Sequence, residues 1–382
     1  MKCRGMSGMR IAYIVSSLAP LGPVIVVRNL VEGMTARGHE CMVFYFDERE
    51  ERMEFACPTK RISFWGREDF TRFDIVHTHS FRPMAYGVLH HRRNMVTTLH
   101  SYLFMEYRYS LGKVWGWMFG HVNMWMARIY NKVVVLSEDA KGYYSRWLPK
   151  EKLRVCYNGV DIHRTVPQEL QQQYEEDMPK LKEFCQDATV LACICEMVPI
   201  KGVATVVKAL RLLPENYRLL LIGDGNGADD LRRLAVELKM EERVLLLGER
   251  TAAYRYLPMA DVFVMASYSE GFCLSLLEAA LMGRNIVCAD IPGMREKYTE
   301  EEVTYFEVGN DRDLARAVVE AQGTPKGERA REKALTFSVE RMCESHERVY
   351  GGAVDNGQFS RLADARRSGI AERQLTINNS HE

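Results

Sequence analysis

The chain has no excess of charge, no long apolar run and no Cys-x-x-Cys pair, and each absence removes a class of protein. Lysine plus arginine and aspartate plus glutamate number 51 each, so the formal net charge is zero. Nucleic-acid-binding domains usually carry a basic surplus, so nucleic acid is not expected as a partner. No apolar run reaches the ~20 residues that a transmembrane helix needs. The basic stretch Met1 to Arg10 lacks an apolar region long enough for a signal peptide. The ten cysteines are scattered, which points to a reduced, cytoplasmic protein with cysteines as small core residues. No His/Cys ligand cluster is visible, so no metal is expected.

What is present is an alternation. Residues 9–17 read as a strand. Val24 to Arg37 reads as a helix with Val27, Leu30, Val31 and Met34 at core spacing, and Cys41 to Phe46 as the next strand. The pattern continues along 382 residues, enough for two domains, and predicts an α/β protein with parallel sheets. Asp74 to His79 and Val96 to His100 are strands that each end in histidine. Ligands of open α/β sheets gather outside the carboxyl ends of strands. His77, His79 and His100 are therefore site candidates, with structural hydrogen bonds as the alternative. Residues 101–131 carry Trp115, Trp117, Phe119, Trp125 and Tyr130 among methionines, flanked by Arg108, Lys113, Arg128 and Lys132. The preferred reading is a core helix under the first sheet. The alternative is a membrane-facing surface that admits a lipid-linked acceptor.

The most informative stretch runs from Asp261 to Glu296. A short apolar strand ends at Ser267. Glu270-Gly271 breaks it, Leu274 to Met282 has helical spacing, Gly283 closes the helix, and a second apolar strand follows. Such a unit offers free backbone N–H groups to an anion at the helix N-terminus. Glu270 and Glu278 lie roughly 10 Å apart at 1.5 Å per residue. They could grip two ends of one extended ligand, or both could be ordinary solvated side chains.

Ser267-x-x-Glu270-Gly271-Phe272, then Glu278-Ala279 and Gly283, with Gly293-x-x-Glu296 beyond, resembles the donor-site signature of glycosyltransferase family 4. Lys201-Gly202 and the turn Asn158-Gly-Val-Asp161 resemble the same family. The resemblance implies a GT-B fold: two Rossmann-like parallel-sheet domains facing a cleft, at 9–162 and 163–334. A helix over 335–350 would cross back to the first domain, and 351–382 reads as a disordered tail. The implied reaction transfers a sugar, with retention, from a nucleotide-sugar to an acceptor hydroxyl in glycan, glycolipid or cell-surface polysaccharide synthesis. The nucleotide-sugar is a substrate, so no cofactor is implied. A glycan or lipid-linked acceptor is implied, with peripheral contact at the inner face of a membrane as a companion expectation. The implied catalytic residues are Glu270, Lys201 and His100. Gly22, Gly271, Phe272, Cys273, Leu274, Ser275, Glu278 and Gly223 would bind donor.

Two positions depart from the family pattern. Pro23 stands where a second glycine is usual and has no N–H to offer. Glu196 stands where an arginine usually faces the diphosphate; Arg295 and Lys297 are alternative cations. These departures keep open a GT-B module that binds donor without turning it over. A dinucleotide-dependent oxidoreductase is the other rival, but the fingerprint is missing at the first strand-to-helix turn.

Overall fold

The computed structural model describes residues 8–49, 52–90, 93–162 and 168–354. Among these, strands alternate with helices in two parallel sheets. The first sheet contains β1 (Arg10–Ser17), β2 (Glu40–Asp47), β3 (Thr59–Arg61), β4 (Ile75–His79), β5 (Met95–Leu99), β6 (Lys132–Val135) and β7 (Leu153–Val155). Its helices are α1 (Gly22–Ala36), α2 (Phe81–His90), α3 (Leu103–Ala127) and α4 (Glu138–Tyr144). The second sheet contains β8 (Thr189–Ile194), β9 (Tyr217–Ile222), β10 (Val244–Gly248), β11 (Val262–Met265), β12 (Asn285–Ala289) and β13 (Thr304–Phe306). Helices α5 (Gln168–Cys185), α6 (Val203–Leu210), α7 (Ala228–Glu237), α8 (Leu274–Leu281), α9 (Pro292–Arg295), α10 (Asp311–Gln322) and α11 (Lys326–Ala334) complete it, and α12 (Val339–Ala353) returns to the first sheet.

The strand orders are β3-β2-β1-β4-β5-β6-β7 and β10-β9-β8-β11-β12-β13. Apart from the extra β7 they are the same order, the doubly wound pattern whose switch point opens a ligand crevice. The switch points fall between β1 and β4 and between β8 and β11. Central strands are covered on both faces, so they must be buried at nearly every residue. β4 and β5 are buried throughout although they read Ile-Val-His-Thr-His and Met-Val-Thr-Thr-Leu.

The edge strand β3 was not legible. Its three residues, Thr-Lys-Arg, are all exposed, so no apolar period marks them. The break expected at residue 350 falls inside α12, which continues through Ala353. Tyr350 and Ala353 are buried against the first sheet's core, and that packing holds the helix on. The tail expectation otherwise lies outside the described residues. α12 is seated on the first domain by Arg37 and His39, which both hold the Glu347 carboxylate.

The expected core helix over residues 101–131 is corrected. α3 is a hairpin, folded at Gly112, whose φ is +80°. A Cβ on Gly116 would lie 2.7 Å from the Tyr107 carbonyl, and one on Gly120 would lie 2.4 Å from the Phe104 ring. These glycines let the second limb close against the first. The face holding Gly116, Gly120, Asn123, Met124 and Ala127 is buried, while Trp115, Trp117 and Trp125 stand in solvent.

Candidate active site

The carboxyl ends of both sheets face one cleft of about 840 Å³. The neighbouring strands β8 and β11 supply its charged wall. After β8 the chain turns through Pro199–Lys201 to Gly202, which is left-handed at φ +64°. A Cβ there would lie 2.1 Å from the Ala266 carbonyl, so the turn sits directly on the end of β11. The Tyr268 N–H donates to the Ile200 carbonyl at 2.9 Å and ties the two loops together. Residues far apart in sequence are thereby joined. Lys201 Nζ donates to Glu270 Oε1 at 2.7 Å, and Ser267 Oγ donates to the same oxygen at 2.7 Å. Glu270 Oε2 makes no hydrogen bond with the described residues. Burial alone would pull the Lys201 ammonium's pKa down. The charge and hydrogen bond of Glu270 outweigh that and hold it above the usual lysine range, so Lys201 is a permanent cation.

Gly271 carries the loop across to the other wall. Its missing side chain is a requirement, because a Cβ would lie 1.9 Å from the His100 carbonyl. Cys273 then takes a left-handed conformation, φ +57°, at the N-cap of α8. A non-glycine residue there costs about 1–3 kcal/mol and persists where the surroundings impose it. Leu274, Ser275 and Glu278 follow on α8, and all three line the cleft. Phe272 also lines the cleft, but it is 4% exposed and its ring packs against Tyr157 and Phe337.

The opposite wall carries a histidine among Arg28, Glu106 and Asp161, which also line the cleft. His100 lines the cleft and shares a 2.9 Å hydrogen bond with His79, Nε2 to Nδ1. Burial, with the nearby His346 adding repulsion, pushes the His100 pKa down to about 3. It therefore acts as a neutral donor or acceptor. His77 and His79 are fully buried; His77 hydrogen-bonds Thr98 and Tyr350, which makes it a strut between β4, β5 and α12. Gly22 and Pro23 open α1 and line the cleft. A Cβ on Gly22 would meet nothing within 4 Å, so the fold itself does not require glycine there. Gly223 does answer to packing: its φ is +130° and a Cβ would lie 1.9 Å from the Cys195 carbonyl.

Glu196 lines the cleft, exposed, with no ion pair to the described residues. The alternative cations are corrected. Arg295 is paired with Asp290 and Glu300 and is not among the residues lining the cleft. Lys297 is buried, 2% exposed, and donates to the carbonyls of Gly293 at 2.5 Å and Gly271 at 3.2 Å. It supports the Glu270 loop from below. Sequence reasoning also missed Glu296 as a clamp between domains. Its carboxylate accepts the Glu138 and Asp139 N–H groups at the start of α4 and the Tyr157 hydroxyl. Free N–H groups at a helix start favour a carboxylate, but only the fold reveals that α4 faces α9.

Comparison with known proteins agrees with this geometry. A family model described as Glycosyl transferases group 1 matches residues 188–322. One described as Glycosyltransferase Family 4 matches residues 22–164. An O-antigen biosynthesis glycosyltransferase, WclY of Escherichia coli, is 31% identical over 90% of this chain and 98% of its own length. The chain belongs to the group 1, family 4 glycosyltransferases, and it is a glycosyltransferase by that membership. A second relative in Escherichia coli, a UDP-Gal:alpha-D-GlcNAc-diphosphoundecaprenol alpha-1,3-galactosyltransferase, is 26% identical over 58% of this chain and 59% of its own. Among solved structures, HepE of Anabaena in complex with UDP and glucose superposes with a TM-score of 0.73. It is 18% identical, covering 89% of this chain and 98% of its own. That likeness establishes the GT-B fold. No helix among the described residues is long and apolar enough to cross a membrane.

Proposed function

We propose that this enzyme moves a sugar, with retention, from a nucleoside-diphosphate sugar to a lipid-linked glycan acceptor in O-antigen-type polysaccharide assembly. The observation that carries the reading is the Lys201–Glu270 pair at the β8/β11 switch point, with Glu270 Oε2 left open toward the cleft. Lys201 neutralises charge that grows on the departing diphosphate, with the N–H groups at the start of α8 beside it. Glu270 Oε2 accepts a hydroxyl of the transferring sugar, and Glu278 accepts the ribose hydroxyls. His100, neutral, donates to the sugar from the opposite wall. The relatives' names support an undecaprenyl-diphosphate acceptor and make UDP-sugars the first donors to try.

The test is release of nucleoside diphosphate from a panel of nucleotide-sugars with an undecaprenyl-diphosphate-linked sugar as acceptor. The anomeric configuration of the product is read by NMR. Transfer with retention, abolished in Glu270→Gln, is the expected result; inversion or no transfer with any donor would overturn the reading. The exposed Glu196 in the cleft favours one rival, a module that binds donor without turnover. Donor-dependent thermal stabilisation without transfer would select it.

A further inference from the structure

The α3 hairpin wears its apolar residues on the outside. On its second limb Val114, Trp115, Trp117, Met118, Val122 and Trp125 are all exposed, Val114 at 78% and Trp117 at 63%. At 3.6 residues per turn they fall within an arc of roughly 160°, opposite the face that closes on the first limb. A soluble monomer rarely leaves so continuous an apolar surface open without a partner for it.

The charge around the stripe narrows that partner. The whole chain is neutral, yet residues 103–129 hold Arg108, Lys113 and Arg128 against the single acid Glu106. All three cations are exposed, while Glu106 is engaged with the Ser101 hydroxyl. Three tryptophans among cations suit the boundary of an anionic bilayer, where the indoles sit at headgroup level and the cations meet lipid phosphates. A protein partner would have to match an apolar stripe with a basic margin; a bilayer does so without any matched shape.

The hairpin's other side belongs to the cleft. Leu103, Glu106, Tyr107, Tyr109 and Asn123 line it, and the Tyr109 ring stacks on Tyr268 of the second domain at 5.8 Å. We infer that α3 docks this enzyme on an anionic lipid surface through Trp115, Trp117 and Trp125, which brings the first domain's wall of the cleft to the bilayer. The inference deepens the reading of a lipid-linked acceptor, but its measurement needs neither donor nor turnover. Its failure would leave sugar transfer standing.

The experiment is co-sedimentation of the full chain with vesicles of phosphatidylcholine alone and of phosphatidylcholine with 30% phosphatidylglycerol, a composition chosen at roughly physiological anionic content. Binding to the anionic vesicles is expected, weakened ~10-fold or more in Trp115→Ser/Trp117→Ser/Trp125→Ser by loss of buried aromatic surface. Arg108→Gln/Lys113→Gln/Arg128→Gln is expected to weaken it by roughly 100-fold at low salt and to remove the preference for anionic lipid. Quenching of wild-type tryptophan fluorescence by brominated lipid checks the contact without relying on a variant. Absence of vesicle binding by the wild type, or binding unchanged in the tryptophan variant, would overturn the inference. So would a concentration-dependent dimer in light scattering that the tryptophan variant disperses without any vesicle binding, which would assign the stripe to a second copy of the chain.

Discussion

The two walls of the cleft come from sheets with the same strand order, yet one centres on a bonded ion pair and the other on a histidine held uncharged. The second sheet presents an ammonium and a carboxylate bonded to each other at 2.7 Å. The first presents His100, which burial keeps uncharged, with His346 buried behind it and Arg28, Glu106 and Asp161 elsewhere along the cleft. Topology cannot account for this, since both crevices open at equivalent switch points. The difference lies in what each loop must meet. A departing diphosphate needs a fixed cation near it. On the proposed function, an incoming acceptor hydroxyl needs hydrogen bonds from this wall, which a neutral imidazole can give or accept.

The largest effect is expected from removing the charge on the second wall. Lys201→Ala leaves Glu270 without its ammonium partner and, on the proposed function, the diphosphate without the cation bonded to Glu270. Turnover should fall about 10²–10³-fold, as when one group stabilising transition-state charge is lost. The Michaelis constant for donor should change less, because the charge grows during the reaction. Steady-state kinetics with a saturating acceptor measure both. Near-normal turnover would show that the two walls share the load.

A smaller effect follows from pushing the walls apart. Gly271→Ala places a Cβ 1.9 Å from the His100 carbonyl, and backbone on both sides leaves little room to yield. A displacement of about 1 Å between reacting groups costs on the order of 10²-fold in rate. The variant should keep donor affinity, since Lys201 and Glu278 remain on one wall, and lose transfer. Equal losses in donor binding and rate would instead mean that the loop itself has collapsed.

Much of the second wall was legible because it lies in one contiguous stretch. Residues 261–296 show strand, break, helix and strand, and the carboxylates sit at fixed positions within it. The pairing of Lys201 with Glu270 was not legible, because it depends on β8 and β11 being neighbours. The first wall resisted reading for a different reason. Periodicity groups the apolar residues of α3 on helix faces without saying which face meets water. Gly112, Gly116 and Gly120, spaced by four, were the signal for a tightly closed hairpin. The histidines at the ends of β4 and β5 were visible, but α12, which brings His346 and Tyr350 to them, arrives from the far end of the chain.

The uncharged histidines can be tested by acid. Burial leads the depression of the His100 and His346 pKa values, to about 3 and about 4, against an unfolded value of about 6.5. Between those values the unfolded chain binds more protons, so stability is intact above pH 6.5 and falls as pH drops toward 4. The melting temperature should decline over that window. His100→Asn should make the decline shallower than in wild type, since one site of differential proton uptake is gone. Parallel curves would show that His100 is not held neutral by the fold.

The smallest effect concerns the cation beneath the charged wall. Lys297 is buried with two carbonyls, Gly271 and Gly293, and no carboxylate paired to it among the described residues. Burial outweighs the nearby acids and lowers its pKa from the usual lysine range to about 8. The sign differs from that of a paired lysine. The folded state releases its proton near pH 8 while the unfolded chain holds it to about 10.5, so stability from this group rises with pH across the interval. The neutral amine still has two hydrogens for two carbonyls, so the support of the Glu270 loop survives deprotonation. Lys297→Met removes both the titration and the donors. The stability of wild type relative to Lys297→Met should therefore grow by about 1 kcal/mol between pH 7 and pH 9, measured by denaturant unfolding. A difference that stays flat would mean that Lys297 keeps its proton across this range. The loop would then rest on a second fixed charge, and the charged wall would extend one layer deeper than Lys201.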